Sequence, residues 1–179
     1  MQKNKNPLEL TPELKSLVKS VVMAKAWVET VHPIVIGYQK AILQEITAVD
    51  EEGKPIIDPN LSYLMDDGKA EVYFARCEEE AAKNNLKHKP ECCPLLEAES
   101  VERKAKRMLG EYVLPRLPGF EKMTFDTLVR FAKNDDDSIK RDKLGRMMFK
   151  SDEMIDLILS FLVPQMTDEL EDLQKSFEP

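Results

Sequence analysis

The sequence predicts a mostly α protein: an irregular helical bundle with long N-terminal helices over 1–118 and a C-terminal group of shorter helices over 119–179, packed as one unit. Three observations predict it. Apolar residues recur three and four apart in several stretches. Helix-starting residues stand just ahead of those stretches, and proline or glycine stands just behind them. One excursion is expected near 46–57, where β-branched residues flank an acidic turn ending in Gly53 and read as a small β-hairpin.

The first helix has the plainest signature. Thr11 is placed to cap it, Pro12 suits the first helical position, and Glu13 favours the positive end of the helix. Leu14, Leu17, Val18, Val21, Val28 and Val31 then follow at helical spacing. Pro33 removes a backbone hydrogen bond, so the helix either kinks there or stops and restarts as PIVIGYQKAILQEI. A second long helix is expected over about 69 to 86, capped by Asp66 or Asp67 and ended by Asn84 and Asn85. A third opens with Cys93 as cap and Pro94 in the first turn. Ala98, Val101, Ala105, Met108, Leu109 and Tyr112 form its apolar stripe, opposite Arg103, Lys104, Lys106 and Arg107. Pro115, Pro118 and Gly119 end it and mark the best boundary in the chain.

Shorter pieces follow. Thr124 caps FDTLVRFAK, NDDDS opens a segment to about Phe149, and Ser151 caps DEMIDLILSFLV. That helix is apolar nearly all round, which predicts a central, covered position. Pro164 stops it. Thr167 caps a final amphipathic helix with Leu170, Leu173 and Phe177 on one side. No repeat of fixed period is visible.

Composition narrows the function classes. The 179 residues are 42% apolar and 33% charged, with a net charge of −7, which fits a folded chain and not a disordered one. Most of the acidity lies in 41–80 and 121–179, whereas 1–40 and 81–120 are net basic. Such a balance gives no general pull toward nucleic acid. The start MQKNKNPLEL has no apolar stretch behind it. The strongest apolar run, LILSFLV, is seven residues, whereas a membrane span needs about 20. The expectation is a cytoplasmic protein with no membrane association and, from its three cysteines, reduced thiols.

Two constellations could bind metal. Glu29 and His32 stand three apart on the first helix, the Glu-x-x-His spacing found in ferritin-like carboxylate bundles. Glu79 and Glu102 could supply lone carboxylates, but a second Glu-x-x-His pair is missing. A Lys25–Glu29 pair and a hydrogen-bonded histidine near Pro33 explain the same residues without metal. The second constellation is Cys77, His88, Cys92 and Cys93, with thiolate and imidazole donors that suit zinc. Adjacent cysteines, however, lack the two-to-four-residue spacer that aims both sulfurs at one ion. Cys93 at a helix start also faces N–H groups that favour thiolate, though no general base can be placed beside it.

Other motifs fail. Counting a calcium loop from Asp135 puts Lys140 where glycine and Arg146 where glutamate are needed. The run RKAKR at 103–107 lacks aromatic residues for stacking on bases. No phosphate loop, nucleophile elbow or Ser/His/Asp set is present. With no catalytic residues assigned and no cofactor expected, the reading is a protein-interaction or regulatory module that binds a protein partner or itself. The alternatives are a metal-dependent carboxylate-bundle enzyme and a zinc-stabilised helical protein.

Overall fold

The computed structural model describes residues 8–46, 51–52, 67–87 and 93–175, the side chains of 67–69 and 172–175 excepted. It is mostly helical, as the periodicity predicts. The helices are α1 (Pro12–Ile46), α2 (Asp67–Lys83), α3 (Pro94–Val113), α4 (Lys150–Leu162) and α5 (Thr167–Lys175). Short 3₁₀ turns occupy Leu114–Arg116, Phe125–Leu128 and Val163–Met166. The hairpin expected near 46–57 lies almost wholly outside the described residues. Among those described, no helix is long and apolar enough to cross a membrane.

The chain divides into two compact units, one of residues 1–26 with 100–179 and the other of 27–99. Residues on both sides of position 118, where composition suggests a seam, belong to the first unit.

Helix α1 begins as its sequence dictates: the Leu14 N–H donates to Thr11 Oγ1 at 3.1 Å. Its buried residues run Leu14, Val18, Val21, Ala24, Val28, Val31, Val35, Tyr38 and Ile42, in steps of three or four with no break at Pro33. The helix continues through that proline, whose ring sits on the exposed side. The missing hydrogen bond is therefore lost where water can replace it. His32, Lys25 and Glu29, which a helical wheel puts within or beside the stripe, are half-buried and lie outside this seam.

In the unit of 27–99, Val28, Val31, Val35, Tyr38, Ile42 and Leu43 of α1 are buried, as are Tyr73, Cys77 and Ala81 of α2 and Leu95 and Ala98 of α3. Helix α2 closes in a Schellman turn. Asn85 has φ 55°, Leu86 N–H donates to Ala81 O at 2.9 Å, and Asn85 N–H donates to Ala82 O at 3.0 Å.

In the other unit, the core joins Leu14, Val18 and Val21 of α1 with Ala105, Leu109 and Val113 of α3. Ile155, Ile158, Leu159 and Leu162 of α4, then Met166 and Leu170, complete it. Gly110 on α3 lets the Phe125 ring lie against the helix; a methyl group there would overlap that ring. Helix α5 is docked, not free: Leu170 is in the core, and Glu169 bonds Lys15 at 2.6 Å and Lys19 at 3.0 Å.

The segment expected to run as a capped piece to Phe149 forms instead a three-lobed knob over 130–150. Ala132 N–H donates to Met148 O, Met148 N–H to Lys140 O, and Lys140 N–H to Ala132 O, each at 2.9 Å, which closes a ring. The three ring members follow one another along the chain at intervals of eight residues. The bridges Phe131–Phe149, Lys133–Ile139 and Arg141–Met147 form its three edges. NDDDS is thus a hairpin turn with Asp137 at φ 66°, and Gly145, eight residues on, occupies the equivalent place at φ 80°. In sequence the repeat shows only as Phe131, Ile139 and Met147, apolar residues eight apart, a spacing that neither helix nor strand periodicity picks out.

Candidate interaction surface

The candidate metal ligands fall in both units and partly outside the described residues. Glu29 and His32 are half-buried on α1 and Glu79 is exposed on α2, all in the unit of 27–99. Glu102 is buried in the other unit. Cys77 and Cys93 are described, and neither is in a disulfide; His88 and Cys92 lie outside the described residues. Among described residues, no three His, Cys, Asp or Glu side chains are arranged to hold a metal ion.

Glu102 is instead the centre of a buried ion cluster. The α3 stripe is rotated from the sequence expectation: Val101 and Met108 are exposed, while Glu102 (3% exposed) and Lys106 (8%) lie among Ala98, Ala105 and Leu109. Lys106 Nζ bonds Glu102 Oε1 at 2.9 Å and Asp152 Oδ1 at 2.8 Å. Arg146 of the knob donates from Nη1 to Glu102 Oε2 at 2.8 Å and from Nε to Asp142 Oδ2 at 2.8 Å. Asp152 Oδ2 also accepts the Phe149 N–H at 2.8 Å, so it ties down the start of α4. Phe149, not Ser151, occupies the cap position, and Ser151 is buried within the first turn.

Glu102, Asp142, Lys106 and Arg146 are held charged. Burial pushes the Glu102 carboxyl up, but the Arg146 hydrogen bond and the Lys106 charge override it and leave it below the ordinary carboxylate range. Asp142 is likewise lowered against its burial by bonds from Arg146 and Leu144. Burial pulls Lys106 down, and Asp152 and Glu102 more than restore it. The bonds from Arg146 and Lys106 to Glu102, and from Lys106 to Asp152, fasten the knob to α3 and α4.

The unit of 27–99 buries a different polar group. Tyr38 and Tyr73 lie within electrostatic reach of Cys77 and Cys93, and Tyr73 hydrogen-bonds the Cys77 thiol one helical turn away. Burial, then the neighbouring thiols, push the Tyr38 hydroxyl up to about 12. Among the described residues, that buried hydroxyl has no hydrogen-bond partner.

The outer face of α4 is an exposed apolar feature of the described residues. Ile155, Ile158, Leu159 and Leu162 point into the core, while Leu157 and Phe161, one turn apart, are 58% and 62% exposed. The all-round apolar pattern predicted a covered helix, yet the described structure covers one face only. The knob adds Phe131, stacked on Phe149 at 5.1 Å, with Ile139 and Met147 exposed at the equivalent positions of its other edges. The alternation of exposed Leu157 and Phe161 with buried Ile158 and Leu162 is visible in sequence, but periodicity cannot say which of two apolar faces the fold will use. No family model, curated protein or solved structure matches the chain.

Proposed function

We propose that the chain is a protein-interaction module that receives a partner protein on the outer face of α4. One observation carries this reading: Leu157 and Phe161 form an adjacent apolar pair left in water, and paired large side chains of this kind mark contact sites more often than scattered single ones. Leaving both exposed costs solvation free energy that burial against another surface would recover, about 1.5–3 kcal/mol for each side chain. The ion cluster supports the reading indirectly, because its charges are already engaged with one another.

The test is the double variant Leu157→Asp/Phe161→Asp. Neither side chain is in the core, so the melting temperature should stay close to that of the parent protein. Affinity capture from an extract of the source cells should retain a discrete protein on the parent chain and lose it on the variant. Identical capture profiles would reject the reading. So would unfolding of the variant, which would place the pair in the core.

A further inference from the structure

We propose that the protein received on the outer face of α4 is a second copy of this chain, packed antiparallel across a two-fold axis, a proposal that rests on the reading of that face as a contact site. The face is longer than α4 itself. Buried Ile155, Leu159, Leu162, Met166 and Leu170 continue in steps of three or four through the 3₁₀ turn and into α5. The opposite side therefore continues as well, and Leu157, Phe161, Gln165 and Asp168 stand exposed along one stripe. All of it belongs to the unit of 1–26 with 100–179.

The order of charges along this stripe selects the occupant. Leu157 and Phe161 lie two residues either side of position 159, and Lys150 and Asp168 lie nine residues either side of it. A two-fold axis through that position, perpendicular to the helix, lays each Leu157 over Phe161 of the second copy and each Lys150 beside its Asp168. Glu153, six residues before the midpoint, falls opposite Gln165, six after it, so like charges do not meet. A parallel arrangement would set Lys150 against Lys150 and Asp168 against Asp168, which costs affinity. Helices crossing at about 20° from antiparallel stay close enough over this length for the terminal charges to reach each other.

Both charges are available for the contact. Glu169 takes Lys15 and Lys19, whereas exposed Asp168 has no ion pair among the described residues. Lys150 Nζ lies 3.3 Å from Glu153 Oε2, and its side chain is 41% exposed. The other oxygen of Glu153 keeps Lys140 at 2.6 Å, so Lys150 can turn outward without stranding that carboxylate. Leu157 and Phe161 then supply the attraction, and the charges fix the register.

The experiment is sedimentation velocity on the full-length chain over about a hundredfold range of concentration. The parent should pass from monomer to dimer, and Leu157→Asp/Phe161→Asp should stay monomeric. Lys150→Glu and Asp168→Lys should keep the parental circular dichroism and each weaken the dimer about tenfold, since each turns two attractive contacts into repulsive ones. Mixed in equal amounts, the two variants should dimerise with near-parental strength, because their heterodimer has an attractive pair at both ends. A mixture no stronger than either variant overturns the antiparallel dimer. So does a parent that stays monomeric, or a dimer that persists in Leu157→Asp/Phe161→Asp. A monomeric parent that still captures a different protein through Leu157 and Phe161 overturns the dimer and leaves the contact-site reading standing; a monomeric parent that captures nothing overturns both. The parent and Leu157→Asp/Phe161→Asp decide the matter even if a charge variant fails to fold.

Discussion

Glu102 and Tyr38 are both almost wholly buried, one in each unit, and they differ in how their polar atoms are treated. The Glu102 carboxylate meets Arg146 and Lys106, and Lys106 in turn meets Asp152. The Tyr38 hydroxyl meets no hydrogen-bond partner among the described residues. A fully engaged buried network is rigid, because moving any member strands the others in a medium that solvates charge badly. An orphaned hydroxyl restrains nothing, and it leaves a polar atom ready for a ligand or for a change in its neighbours. The first arrangement suits a fastener, the second a place where chemistry can happen.

The largest effect expected from this contrast is at Glu102. Glu102→Ala takes from buried Lys106 and half-buried Arg146 the anion they share and leaves each with one carboxylate, so it should cost about 3 kcal/mol in urea unfolding. Glu80→Ala, which removes an exposed pair with Lys83, should cost less than about 1 kcal/mol. Equal costs would break the comparison. The acid limb follows from the same group. Glu102 and Asp142 titrate below the ordinary carboxylate range, so the folded state binds protons less readily than the unfolded one. Their contribution is whole above the ordinary carboxylate range and drains away as pH falls through it toward the folded values. Glu102→Ala should flatten that limb.

The next effect has the opposite sign. Tyr38→Phe removes an unpaired hydroxyl and should stabilise the protein by about 1 kcal/mol, since a buried unsatisfied group costs about 1–3 kcal/mol. A loss of stability would show that the hydroxyl has a partner in solution. This unit should also fail at the other end of the pH scale. Tyr38 is pushed from 10.0 to about 12, so its contribution is intact below pH 10 and is lost as pH rises from there to about 12. Phenolate absorbance from Tyr38 should therefore appear together with the change in Trp27 fluorescence, and ionisation with native fluorescence would contradict the burial.

Legibility divided along the same physical line. Local signals read correctly: Thr11 and Pro12 start α1, Cys93 and Pro94 start α3, and Asn85 ends α2 in the left-handed conformation. Each depends on a few neighbouring residues. The seam of α1 was legible because Leu14, Val18, Val21, Val28 and Val31 recur at helical spacing without interruption. Helix α3 was not, because Val101 and Met108 compete with Ala98, Ala105 and Leu109 for one wheel, and the Glu102–Lys106 pair is buried only once Arg146 and Asp152 arrive from the knob and α4. Helix α4 failed for a related reason, having two apolar faces and a fold that covers one. The knob was missed because three acids before an amphipathic stretch resemble a helix start, and the left-handed residue that makes NDDDS a turn is an aspartate and not a glycine.

The smallest effect tests whether the fastener depends on that turn geometry. Asp137 and Gly145 hold equivalent left-handed positions in the knob, but only the second adjoins the ion cluster, one residue before Arg146. Asp137→Gly relieves the strain of a side chain in that conformation while freeing the unfolded chain and losing the exposed pair with Lys133. The net change should be within about 0.5 kcal/mol. Gly145→Ala should cost about 1 kcal/mol from the left-handed backbone alone. If that turn aims Arg146 at Glu102, the Gly145→Ala cost should shrink in the Glu102→Ala background, with a coupling of at least about 0.5 kcal/mol. Asp137→Gly, one lobe away, should add to Glu102→Ala without coupling. Equal behaviour of the two turns in this cycle would mean that Arg146 finds Glu102 whatever the turn beside it does, and that the ion cluster, not the backbone ring, sets the position of the knob.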